Sequence, residues 1–263
     1  MTVRLGAVGY LNARPLVYGL DRDPRFALRF DVPSACSSLL HADRIDVGMI
    51  PSIEYQRGSD DYRIVPGLGI ISDGDVASVA LFSRVPIDRV TRLGLDTSSR
   101  TSAGLTRVMC REVWRIDPAF VDVSPEAAVR VDGCDAALVI GDPALFLDHA
   151  SAGFTKIDLG GAWTRATGLP FVWAVWAGRA GALRPEHVAA LQTAAREGVA
   201  HSDDIADAYA GPERAALCRV YFREHIKYAL GEREIAGLTQ YWHLAARHGV
   251  IAAARPAVFY EAG

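Results

Sequence analysis

Six consecutive residues, Thr97-Ser98-Ser99-Arg100-Thr101-Ser102, offer hydroxyl or guanidinium donors at the start of a helical pattern. A helix N-terminus presents free backbone N–H groups and a partial positive charge, which suits a carboxylate. The hydroxyls would add short hydrogen bonds, and Arg100 could add a bidentate pair. The same run also reads as an ordinary N-cap made by one Ser, with the remaining side chains solvated. A second polar turn, Gly9-Tyr10-Leu11-Asn12, follows a strand-like run. Asn12 can cap the next helix, donate to a ligand, or do both; by composition, capping is the commoner role. Tyr10 can wall a site or sit in the core. Ser78 interrupts the apolar run from Val76 to Phe82, so its hydroxyl must bond neighbouring backbone or face a cleft. Asp142 stands at a strand end, where a general base could sit, yet Asp142-Pro143 also suits a turn or cap.

The absences narrow the chemistry. The sequence has no Gly-x-Gly-x-x-Gly, no Gly-Lys-Ser phosphate loop and no Gly-x-Ser-x-Gly nucleophile turn. Cysteines 36, 110, 134 and 218 form no Cys-x-x-Cys pair and read as reduced core thiols. The seven His show no metal spacing, so neither cofactor nor metal is expected. The 263 residues are 50% hydrophobic and 22% charged, enough for a sizeable core. A formal net charge of −3 provides no basic field for nucleic acid, so an anionic ligand must be met by local donors. No apolar window approaches a membrane span, and the chain begins Met-Thr-Val-Arg-Leu without a secretory pattern. A cytoplasmic protein with a small-molecule partner is therefore expected, its oligomeric state open.

These groups need elements to position them. Val3–Val8, Ile45–Ile50, Leu93–Leu95, Phe120–Val123, Ala136–Ile140 and Phe171–Trp176 read as strands. Helical patterns lie between many of them, and residues 185–198, 213–229 and 232–247 read as helices. The alternation implies an α/β fold with parallel pairing and right-handed crossovers. Strand, polar turn and helix recur at 3–20 and 93–113, which suggests two lobes. With the strands at 76–83 and 171–178 as crossovers, lobe 1 is discontinuous, 1–82 plus 177–263, and lobe 2 is 83–176. Ligands of open α/β sheets bind at the carboxyl ends of strands. Tyr10, Leu11, Pro51, Gly141 and Asp142, all in turns after strands, are thus further candidates to line a cleft between the lobes.

Four blocks, in order, carry a family resemblance: Gly-Tyr-Leu-Asn-Ala-Arg-Pro-Leu at 9–16, Asp-Val-Gly-Met-Ile-Pro-Ser-Ile-Glu-Tyr at 46–55, Ser-Val-Ala-Leu-Phe-Ser-Arg-Val-Pro at 78–86 and Leu-Asp-Thr-Ser-Ser-Arg-Thr-Ser at 95–102. Together they resemble the chorismate dehydratases of the futalosine route to menaquinone. The resemblance implies a type 2 periplasmic-binding-protein fold and loss of water from chorismate to give 3-[(1-carboxyvinyl)oxy]benzoate. It makes Asn12 and Ser78 the active-site Asn and Ser, and Thr97–Ser102 the carboxylate-binding segment. Alternatives sharing the fold are a solute-binding protein for a small aromatic carboxylate and the sister 1,4-dihydroxy-6-naphthoate synthases. The latter use a His near the strand end that here reads Ile140-Gly141-Asp142.

Overall fold

A computed structural model describes residues 2–261. In chain order, β1 (Val3–Val8), β2 (Phe26–Asp31), α1 (Pro33–His41), β3 (Val47–Pro51), α2 (Ser52–Arg57) and β4 (Tyr62–Ser72) begin the first lobe. The second lobe contains β5 (Val79–Ser83), β6 (Arg92–Asp96), α3 (Arg100–Met109), β7 (Ala119–Val123), α4 (Pro125–Arg130), β8 (Ala136–Ile140), α5 (Gly141–Phe146) and β9 (Thr155–Asp158). Helix α6 (Leu159–Thr167) returns the chain to β10 (Phe171–Arg179) of the first sheet. There follow α7 (Pro185–Ala200), α8 (Ser202–Ala210), α9 (Pro212–Val220), β11 (Lys227–Leu230) and α10 (Glu232–Arg247).

The two lobes are assembled alike. Strand β1 pairs in parallel with β2 and β3, and β10 lies antiparallel beside β3. Strand β6 pairs in parallel with β7 and β8, and β5 lies antiparallel beside β8. The order β2-β1-β3-β10 is thus repeated as β7-β6-β8-β5. Parallel neighbours need crossovers, which the intervening helices supply.

The lobe limits expected at 82/83 and 176/177 are corrected: β5 belongs to the second sheet and β10 to the first. The chain crosses between Ser72 and Val79 and again between Asp158 and Phe171. Apolar segments such as β5 and β10 are buried along their length, so they serve as inner strands rather than linkers. The crossing falls instead in polar Asp73-Gly74-Asp75 and around α6. The outermost expected limits, 1 and 263, lie outside the described residues.

Other differences have local causes. The helix expected over 213–229 stops at Val220, passes through a π-turn at Tyr221–His225 and becomes edge strand β11. Strand β4 has no clear sequence pattern because Pro66 and Gly67 interrupt it, and it pairs with β10 through register shifts. Trp163, Phe171 and Tyr241 pack edge-on in the core, with centroids 5.3 Å (Trp163–Phe171) and 4.9 Å (Phe171–Tyr241) apart. Cys36, Cys110 and Cys218 are buried, and burial pushes the Cys36 and Cys110 thiols up to about 12. Among the described residues no helix is long and apolar enough to cross a membrane.

Candidate active site

The carboxyl ends of β1, β3, β6 and β8 meet at a small cavity of about 50 Å³. Its polar wall comes from Asn12, Ser78, Ser99, Thr101 and Ser102, and Tyr10, Pro51 and Gly141 also line it. Among the described residues no Asp, Glu, Lys, Arg or His side chain lines it. Only an unionised wall would face a ligand there.

Asn12 does not cap a helix. It is the second residue of a 3-10 helix over Leu11–Val17, begun by Tyr10 without a side-chain cap. Its Oδ1 is buried and has no hydrogen-bond partner among the described residues. The Tyr228 hydroxyl donates to the Asn12 carbonyl at 2.9 Å, fixing the backbone beneath the side chain. Ser78 precedes β5 rather than interrupting it, and its side chain is 1% exposed. Its Oγ lies 2.7 Å from the Tyr221 hydroxyl, in the π-turn after α9. Asn12 lies close to Tyr221, and burial pushes the Tyr221 phenol well up, so it stays protonated. Asn12, Ser78 and Tyr221 therefore form one buried cluster drawn from three distant parts of the chain.

The segment over 97–102 divides. Ser99, Thr101 and Ser102 line the cavity, while Thr97 is exposed outside it. Ser98 turns back to Asp96, donating from Oγ at 2.6 Å. Ser99 makes no side-chain cap, so first-turn N–H groups of α3 are left for an outside acceptor. Thr101 Oγ1 accepts the Ile53 N–H at 3.2 Å, tying α3 to α2. Arg100 is a correction: its guanidinium donates to Glu54 at 2.6 Å and to Ser37 and Ser38 at 3.3 and 3.1 Å, away from the cavity. The cause lies with Glu54, which is 2% exposed; a carboxylate so buried needs opposite charge. Burial alone would raise its pKa, but hydrogen bonds from His41 and Arg57 and the Arg100 charge bring it down to about 2.

Asp142 is also turned from the cavity. Its carboxylate accepts the Leu11 N–H at 3.1 Å and the Tyr209 hydroxyl at 2.5 Å, both across the cleft. Leu11 thus contributes a backbone N–H to this clasp rather than a cavity wall. With both oxygens occupied, Asp142 acts as a clasp between lobes and not as a poised base. Gly141 sits beside it at φ +67°, where a Cβ would come within 2.9 Å of the Tyr10 ring. Glycine is required there both by backbone conformation and by that approach. His149 lies outside the cavity, 3.2 Å from the Phe154 carbonyl.

Sequence reasoning missed Tyr221 and Trp173. Trp173 lines the cavity from β10 while its Nε1 donates to Ser72 Oγ at 3.1 Å. A polar-capable aromatic in a buried strand needs such a partner, and that was the available signal. Tyr221 had none: its role depends on a contact 143 residues away.

A family model described as menaquinone biosynthesis matches residues 3–247. Over 222 residues the chain is 29% identical to a chorismate dehydratase of Thermus thermophilus, covering 78% of this chain and 81% of that protein. Protein AF1704 from Archaeoglobus fulgidus has a similar structure, with a TM-score of 0.75 at 18% identity, covering 95% of this chain and 98% of that one. The periplasmic aliphatic sulphonate binding protein SsuA from Escherichia coli gives 0.66 at 15% identity, covering 100% and 94%. The two-lobed architecture is thus a periplasmic-binding-protein fold.

Proposed function

Because the chain belongs to the menaquinone biosynthesis family, we propose that it is a carbon–oxygen lyase that dehydrates chorismate to 3-[(1-carboxyvinyl)oxy]benzoate in the futalosine route, within the cytoplasm. The observation that carries this reading is the composition of the cavity wall: amide, hydroxyls and a helix N-terminus, with no ionised side chain. The chemistry needs no more. Chorismate's C3 proton is vinylogous to the ring carboxylate, so its loss sends charge into that carboxylate. The C4–O bond then breaks, the ring becomes aromatic, and the hydroxide released takes up the removed proton as water. Neutral donors held in a dry site stabilise the growing carboxylate charge without a strong acid. Ser99, Thr101, Ser102 and the first N–H groups of α3 are suited to that task. A wall without carboxylate or imidazole leaves the substrate's own enolpyruvyl carboxylate as the base, and the protein then supplies orientation and enclosure. Asn12 and Ser78 are the groups that would hold the substrate about its reacting carbons.

Incubation of the purified protein with chorismate, followed by mass spectrometry, tests the reading. The expected product has lost one water; binding without conversion would instead support a solute-binding protein. Asn12→Ala and Ser78→Ala are each expected to cut kcat by about a hundredfold or more while melting near the wild-type temperature. Near-normal rates in both would remove these residues from the site.

A further inference from the structure

Ser78 sits at the end of an unusual turn. Ala77 has φ +62°, uncommon for a residue with a side chain, and the Ser78 N–H donates to the Val76 carbonyl at 2.7 Å. This is a three-residue turn of the strained γ type. Such backbone persists only where its surroundings over-determine it. Here the surroundings are two charged side chains of β9. Asp158 accepts the Val76 N–H at 2.9 Å and the Ala77 N–H at 2.7 Å on separate oxygens, and the Gly161 N–H at 3.0 Å. The Lys156 ammonium donates to the Ala77 carbonyl at 2.6 Å. The bonds to Val76 and Ala77 tie β9 to the first crossing between lobes, and the bond from Gly161 holds the Asp158 carboxylate at the start of α6. Neither Asp158 nor Lys156 lines the cavity.

We propose that Asp158, assisted by Lys156, is the positioning residue that holds the Val76-Ala77-Ser78 turn in its strained form and so sets the Ser78 hydroxyl against the substrate and Tyr221. The role rests on the proposed reaction at Ser78. A carboxylate is needed because both oxygens accept. Asn would offer one acceptor and turn an NH₂ group towards an N–H, losing at least one bond to the turn. The turn then relaxes, and Ser78 moves from its place without any change in its own chemistry. Displacement of a reacting group by about 1 Å costs on the order of a hundredfold in rate.

The test is a double-mutant cycle on the full chain with chorismate as substrate. Asp158→Asn is expected to lower kcat about ten- to a hundredfold with KM nearly unchanged. In a Ser78→Ala background the same substitution should cost less than about twofold, because its effect runs through Ser78. Lys156→Met, which removes only the bond to the Ala77 carbonyl, should repeat the pattern at smaller size and serves if Asp158→Asn does not fold. Equal losses with and without Ser78 would overturn the proposal, as would full activity in both single variants. A wild-type protein that does not convert chorismate would overturn the proposed reaction and this role with it; conversion with additive losses would overturn the role alone.

Discussion

A single hydroxyl governs what Ser78 can offer a ligand. Tyr221 is buried and remains a phenol, so it can donate to Ser78 Oγ at 2.7 Å and leave the Ser78 hydrogen free for the cavity. Tyr221→Phe removes that direction and leaves the packing. Loss of about one net hydrogen bond should cost roughly 1 kcal/mol of stability, while kcat falls about tenfold; calorimetry and steady-state kinetics check the two halves. Glu54 makes the complementary case of a charged group kept for structure. Its folded pKa of about 2 lies below the ordinary 4.5, so the ionised form favours folding. That contribution, about 3 kcal/mol by proton linkage, is present above pH 4.5 and is lost as pH falls towards 2. Glu54→Gln should cost about 3–5 kcal/mol at neutral pH by stranding Arg100 and Arg57, and should flatten the acid limb of the melting curve. An unchanged acid limb would place the sensitivity elsewhere. The residues around Asn12 favoured a cap, and only the family resemblance marked it as a site candidate; Ser78 was marked because a hydroxyl in an apolar run demands a partner. Arg100 was misleading for the same reason: its partner Glu54 lies 46 residues away in an unremarkable short helix.

At the scale of elements, the turns after β1 and β8 act as one device. The start of α5 presents Gly141 to the Tyr10 ring and Asp142 to the Leu11 N–H and Tyr209 hydroxyl, so a helix of the second lobe fastens the first over the cavity. Burial and the Asp142 hydrogen bond push the Tyr209 phenol up, which keeps it a donor. Asp142→Ala should loosen closure and raise KM about tenfold, in line with a shift of 1–2 kcal/mol in a closing equilibrium. Gly141→Ala should act in the same direction through collision with Tyr10. An unchanged KM in both variants would mean that the clasp plays no part in holding substrate. The strand ends that carry these turns were readable from short apolar runs, and both turns were marked as site candidates on that ground. Their pairing was not, because the Leu11–Asp142 contact spans 131 residues and no local pattern encodes it. Strand β11 shows the same limit: the helical period of α9 runs on into it, and only pairing with β4 decides the extended form.

At the scale of the whole molecule, the repeated strand order describes two lobes, yet the packing does not leave them independent. Helix α3 belongs by chain order to the second lobe and is held by the first. The Tyr241 hydroxyl of α10 donates to the Thr101 carbonyl at 2.9 Å, Ile53 of α2 donates to Thr101 Oγ1, and Arg100 pairs with Glu54. Gly104 lets α3 approach this closely; a Cβ there would meet the Tyr241 oxygen at 2.5 Å and Ile53 Cδ1 at 2.8 Å. The hydroxyl wall of the cavity is therefore fixed to the first lobe, and the clasp at Gly141–Asp142 supplies the separable contact. Shared buried residues from both sheets should make unfolding one cooperative event, and scanning calorimetry should show a single transition. Gly104→Ala should lower that transition by overpacking, at a cost of about 1–3 kcal/mol, without splitting it. A ligand that fills the cavity should raise it, adding about 2.7 kcal/mol of stability at a hundred times its Kd. Two resolved transitions, with only one responding to ligand, would show that the lobes fold separately and that α3 does not join them.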